Sequence, residues 1–247
     1  MKFRRPIDNH HYGYDFLDIE AQKGRYHPGE DMNGPGAGNA DKGMPVYPIG
    51  PGVVSFVDTD GPNSGWGNIM YVKHDMKTYF ESKGLPLPSW CPEFVWSQYA
   101  HMLSIDVKLG DSVDPSKPVG KLGGTPYWSA HLHHEVRKMP LGVYFYPKAG
   151  TTKKWMTDHY FKPRDFVAMV NKYVEEGEQE KRPSVGLIQY DGQPAVWIFN
   201  GKTRHWIPDE ETAILLFGPD WAEGIQLVSK NMMGTIPTGD QLPSLKA

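Results

Sequence analysis

A single cysteine, Cys91, stands in 247 residues, so no disulfide can form within the chain and a disulfide-stapled scaffold is excluded. We read Cys91 as a small, partly buried hydrophobe. Long apolar runs are missing too. None approaches the roughly 18 residues that a membrane helix needs, so no membrane partner is expected. Excess positive charge is also absent. A net charge of −3 without a basic stripe argues against a nucleic-acid partner. The amino end, Met1 to Pro6, is basic, but Asp8, Asn9, His10 and His11 follow it where a secretory signal would turn apolar.

Glycine (27) and proline (22) are plentiful, and they punctuate short β-rich runs. Residues 1–40 read mostly as loop. Strands are expected at Val46-Tyr47, Gly52 to Val57, Ile69 to His74, Val95 to Met102, Val119 to Leu122 and His131 to Val136. Repeated short strands joined by Gly/Pro turns give the expected fold class, mainly β with an antiparallel sheet. Residues 76–94, with Pro86, Pro88 and Pro92, read as a long loop. One helix is expected over Asp165 to Glu176, capped by Asp165, ended by Gly177, with Phe166, Met169, Val170, Tyr173 and Val174 on one face. The domain expectation is therefore 1–176, a charged linker 177–184, and a small β-rich module 185–247. In that module Asn200-Gly201 reads as a two-residue type I′ turn, and Asp209 to Phe217 as a short helix ending at Gly218. Trp197, Trp206 and Trp221 are expected to build its core, a sugar-stacking platform being the other reading.

The chemistry concentrates in histidines. In the strand-like run Ala130 to Val136, His131 and His133 share one face, while Leu132 and His134 point the other way. Such a pair can serve one metal, or one imidazole can bind metal while the other moves protons. Upstream, His27 and Asp31 are spaced by four, but Pro28 and Gly29 disfavour a helix, so a loop should present them. With His133 they make a His-Asp-His donor set with a fourth position open, the composition of a catalytic zinc site. His101 and His131 are left for the acid and base work of amide hydrolysis.

Residues 25 to about 137 resemble the lysostaphin-type zinc endopeptidases, which cut peptides of bacterial cell walls. The resemblance rests on His27-x-Gly29-x-Asp31, Pro45-Val46-Tyr47, Gly52-Val53-Val54, Gly65-Trp66-Gly67-Asn68 and Tyr99-Ala100-His101-Met102. It continues through Val107-x-x-Gly110-Asp111-x-Val113 and His131-Leu132-His133-x-Glu135. It implies one zinc ion on His27, Asp31 and His133, His101 and His131 as the catalytic pair, and a groove in an antiparallel sheet. Peptidoglycan is the implied partner, and the chain is expected to act as a monomer. The chain departs from the family where His134 replaces an apolar residue, and where Gly124 to Ala130 replaces a Gly/Ser-rich turn. No motif assigns an assisting tyrosine; Tyr26 and Tyr14 are the two candidates named without one. His10, His11, His74, His159 and His205 are expected to be structural or exposed. Glu30 and Glu135 are either surface charge or partners that orient an imidazole. Without a secretory signal, a wall-directed enzyme suggests a phage lysin released by host lysis or carried in the particle. Two other readings stand beside the peptidase: a non-catalytic wall-binding or virion component, and an amidase acting at the sugar–peptide junction. The C-terminal module loosely resembles modules appended to cell-wall-directed proteins.

Overall fold

The computed structural model describes residues 2–20, 23–36, 38–59, 65–180, 186–190, 193, 195–240 and 242, with backbone alone at 178–180. The chain divides into two compact units, Met1–Val174 and Glu175–Ala247.

The first unit carries β1 (His11–Tyr12), β2 (Ile19–Glu20), β3 (Arg25–Tyr26), β4 (Glu30–Asn33), β5 (Pro45–Val46), β6 (Gly52–Asp58) and β7 (Asn68–Asp75). After helix α1 (Met76–Ser82) come β8 (Phe94–Ile105), β9 (Ser112–Val113), β10 (Gly120–Leu122) and β11 (Leu132–Arg137). Helix α2 (Lys153–His159) and β12 (Tyr160–Phe161) follow, and α3 (Pro163–Glu180) begins in this unit and ends beyond Val174. Among the described residues one sheet runs β1-β4-β11-β8-β7-β6-β9; β10 joins β8 to β5, and β12 extends β11. Every pair in it is antiparallel, as expected.

Both faces of the central strands are covered. On β7, Met70 and Val72 enter one apolar cluster with Tyr99, Met102 and Leu132, while Ile69 and Tyr71 pack with Ala100 on the other side. Each such fully buried side chain is worth roughly 1.5–3 kcal/mol of transfer free energy. Strand β11 is buried along its whole length. Leu132 and Val136 enter apolar clusters on one face, while His133, Glu135 and Arg137 carry a polar network on the other.

Three expectations about elements need correction. Residues 76–94 are not all loop: Asp75 accepts a hydrogen bond from the Thr78 amide and starts α1, whose Met76, Tyr79 and Phe80 are buried. Seven residues are too few for a helical period to stand out in sequence. Asp31 lies on a strand rather than in a loop, because β4 pairs with both β1 and β11. The helix expected over Asp165 to Glu176 begins at Pro163 and runs past Gly177 to Glu180. A glycine costs a helix about 1 kcal/mol but does not stop it when helix-forming residues such as Glu178 and Gln179 follow. Met169, placed on the apolar face by its spacing, is exposed.

The second unit has a sheet ordered β15 (Arg204–Trp206), β14 (Val196–Phe199), β13 (Gly186–Tyr190), β16 (Gln226–Val228), with β13 and β16 parallel. Helices α4 (Glu210–Phe217) and α5 (Lys230–Thr235) accompany it. The β14–β15 turn is displaced by one residue from the expected one. Phe199 pairs with Arg204 and the Asn200 amide bonds the Thr203 carbonyl, so Gly201-Lys202 forms the two-residue loop. Gly201 alone takes positive φ there, and the Asn200 side chain caps the amides of Lys202 and Thr203. Trp197 and Trp221 pack partly buried against the unit's apolar clusters, whereas Trp206 is partly exposed. Residues 181–184 of the expected linker, and residue 185 at the start of the expected module, lie outside the described residues.

Candidate metal centre and its groove

Register sets the site. In the β4–β11 pair Asp31 stands directly opposite His133, and opposed residues of an antiparallel pair share a face. His27 lies just upstream of β4, where Gly29 makes the approach possible. A Cβ on Gly29 would sit 2.2 Å from the His134 carbonyl oxygen, so only glycine lets this loop rest on β11. Three donor atoms result: His27 Nε2, Asp31 Oδ1 and His133 Nδ1, separated by 3.0, 3.1 and 2.9 Å. Among the described residues they are the one His/Asp group so gathered. Ligands about 2.0–2.1 Å from a tetrahedral zinc stand roughly 3.3 Å apart, close to this triangle.

The far nitrogen of each imidazole is also tied. His27 Nδ1–H donates to the Asp15 carbonyl at 3.2 Å, and His133 Nε2–H donates to Glu135 at 3.0 Å. Those bonds fix the tautomers that leave His27 Nε2 and His133 Nδ1 free to ligate, the arrangement that metal-binding histidines adopt. The residues therefore fit a zinc ion on donor chemistry and orientation alike.

Electrostatics agree. Burial pulls the His133 pKa down, but hydrogen bonds and charge from Asp31 and Glu135 outweigh it and raise it to about 9. A positive charge is thus favoured between those two carboxylates. Burial pushes the Asp31 carboxyl up, yet the His133 and His27 rings set against it hold it well below the usual carboxylate range. Behind His133, buried Glu135 accepts from Arg137 Nε at 2.6 Å, and Arg137 Nη2 reaches Gln98 at 2.5 Å. Asp15 is itself held by Lys162 at 2.8 Å and by Arg164.

His101 arrives by a bulge. Met70 pairs with Tyr99 and Asn68 with Met102, so β8 carries one extra residue between them. His101 takes φ +62°, and its amide bonds the Trp66 carbonyl. Ala100 and His101 consequently leave the core face occupied by Tyr99 and Met102. The His101 ring lies 4.6 Å from that of His131 and 5.9 Å from that of His133. Its Nδ1 bonds the Trp66 carbonyl, and His131 Nδ1 bonds the Ser129 carbonyl, which leaves both Nε2 atoms unspent on backbone. Burial, then the charges of His131 and His133, lower the His101 pKa to about 3.

All five sequence-derived residues line one groove of about 780 Å³, together with Trp66, Trp128 and Tyr146. Tyr14 lines it too, 5.9 Å from His27, whereas Tyr26 is not among the lining residues. His134 points away and packs against Tyr99, as the alternation predicts. Glu135 is the orienting partner; Glu30 instead pairs with Arg164 at 2.5 Å. His74 bonds the Pro51 carbonyl and Ser97 deep in the core. Sequence reasoning missed Arg137, although period-two spacing from His133 through Glu135 pointed to it. It also missed Asp15, Glu20, Lys23, Arg25 and Tyr146, which no local pattern marks.

No protein-family profile matches the chain, and no curated protein matches it. Among solved structures it is similar to a zinc-containing peptidase from Vibrio cholerae, with 23% identity over 60% of this chain and 41% of that one, TM-score 0.42. It is similar to the catalytic domain of the antimicrobial peptidase lysostaphin from Staphylococcus simulans, with 22% identity over 65% and 94%, TM-score 0.41. It is also similar to the SpoIIQ–SpoIIIAH pore-forming complex, with 17% identity over 71% and 96%, TM-score 0.45. The chain spans less than half of the Vibrio peptidase and nearly all of the lysostaphin domain. These likenesses thus include a structure of lysostaphin, the enzyme after which the family resembled by the chain's sequence motifs is named.

Proposed function

We propose that the chain is a zinc-dependent endopeptidase that cuts stem or cross-bridge peptides of bacterial peptidoglycan. The observation that carries this reading is the donor triangle of His27, Asp31 and His133 with two further imidazoles, His101 and His131, beside it in one groove. The wall-peptide substrate rests on the motif resemblance. When bound, zinc supplies Lewis acidity toward the scissile carbonyl and lowers the pKa of water.

The chain's own residues supply the rest. His27, Asp31 and His133 hold the ion, and Asp15 and Glu135 aim the two ligating rings. His101 turns its Nδ1 to the Trp66 carbonyl, so its Nε2 is the nitrogen that accepts the proton of the attacking water. His131, whose ring lies 4.6 Å from that of His101, passes that proton on to the departing amine. The groove walls of Trp66, Trp128 and Tyr146 shield these transfers from bulk water.

Turbidity of purified cell walls tests the reading: clearing is expected with zinc, to stop with chelator and to resume on zinc add-back. Mass spectrometry of the fragments should find new peptide amines; release at the sugar–peptide junction would make the chain an amidase. His101→Ala should cut lysis by at least about 100-fold while zinc stays near one ion per chain. Full lysis by that variant would overturn the assignment.

A further inference from the structure

We propose that Lys23 and Arg25 form an anion subsite in the groove, selecting peptides that carry a free carboxylate close to the scissile amide. This rests on the peptidase reading above and names the substrate class that its groove takes. Both residues belong to the β2–β3 hairpin, where Glu20 and Arg25 are opposed, and both line the same groove as the donor triangle.

The charge arithmetic of that wall is unbalanced. The acidic lining residues are Glu20 and Asp31, and Asp31 is committed to His27 and His133. Glu20 alone faces two cations: Lys23 Nζ at 3.1 Å, and Arg25 Nη2 at 3.3 Å. It also accepts from the Tyr146 hydroxyl. One positive charge is left over beside the triangle, although the whole chain is net negative. The cations are also held ready. The Arg25 guanidinium stacks 3.9 Å from the Tyr146 ring centroid, and its Nη1 has no partner among the described residues. Lys23 Nζ sits 5.4 Å over the Trp128 ring with its side chain 45% exposed. A planar, immobilised guanidinium edge beside a reachable ammonium suits a carboxylate, and suits a neutral amide far less. A bridge of small neutral residues would leave this charge unanswered.

The experiment uses the full chain loaded with zinc and two probes: a cross-linked muropeptide bearing a free carboxylate next to the cleaved bond, and the same compound with that group as a primary amide. We expect the acid to be cut with a kcat/KM roughly tenfold higher, carried by KM, since an exposed ion pair contributes about fivefold and two cations act here. Lys23→Gln should shrink the ratio severalfold, and Lys23→Glu should reverse it. Added salt should narrow it. Equal cutting of both probes, or a ratio unmoved by Lys23→Glu, would overturn the subsite. If neither probe is cut, the peptidase reading fails separately, and binding followed by tryptophan fluorescence then decides. Tighter binding of the acid, lost in Lys23→Glu, would support the subsite, and equal binding would reject it.

Discussion

Behind the donor triangle stands Glu135. It is fully buried, accepts from His133 and from Arg137, and has no role that solvent exposure would explain. Its carboxylate fixes the His133 tautomer that leaves Nδ1 for the metal, so Glu135→Gln should weaken zinc binding by about 10–100-fold. Competition with a chromophoric chelator measures this, and unchanged affinity would show that Glu135 merely fills space. His74 is a contrasting buried imidazole, remote from the groove, whose pKa burial lowers to about 4 from the usual 6.5. The neutral form is the one the fold accepts. Its contribution to stability is therefore complete above pH 6.5 and is lost as pH falls from 6.5 to 4, about 3 kcal/mol for the full shift. Urea titrations across that window should show the slope, and it should flatten in His74→Gln. That His27, Asp31, His101, His131 and His133 belong together was legible in sequence: all five line one groove. Which tautomer each imidazole holds was not, because it depends on where the folded backbone aims the Asp15, Trp66 and Ser129 carbonyls.

At the scale of elements, the site is made by one register and one bulge. The β4–β11 register places Asp31 across from His133, and the extra residue in β8 turns His101 toward them. Neither is readable from residue type, since a bulge leaves no fixed mark and register depends on the partner strand. The period-two pattern of β11 did reveal its two faces, because a strand's geometry is local. The loop at Gly29 is where backbone meets backbone most closely. Gly29→Ala would place its methyl on the His134 carbonyl and must push His27 away. We expect a loss of about 1–3 kcal/mol in stability, as for overpacked sites, with a sharp fall in zinc affinity and unchanged far-UV circular dichroism. Wild-type zinc affinity in that variant would mean that the loop can retreat without moving His27.

Across the whole molecule, two units each carry apolar clusters of their own, and the metal triad lies wholly within Met1–Val174. Among the described residues no helix is long and apolar enough to cross a membrane. A ligand that binds only the folded state stabilises it by mass action, about 4 kcal/mol at a thousandfold excess over Kd. Calorimetry should resolve two transitions, and chelator should lower the Tm of the one belonging to the first unit alone. A shift of both would mean that the units unfold together.

The sequence by itself determined the β class, the two-faced character of the strand at His133, and the set of histidines and the aspartate from which a metal centre could be assembled. These follow from local rules of alternation, turn chemistry and ligand preference. Tertiary structure decided the rest: the 2.9–3.1 Å donor triangle, the Asp15 and Glu135 bonds that orient it, and the hairpin that lines its groove with Lys23 and Arg25. The triangle needs His27 and Asp31 to meet His133 from more than a hundred positions away, and the rest depends on how loops and strands pack around it, which no local pattern encodes.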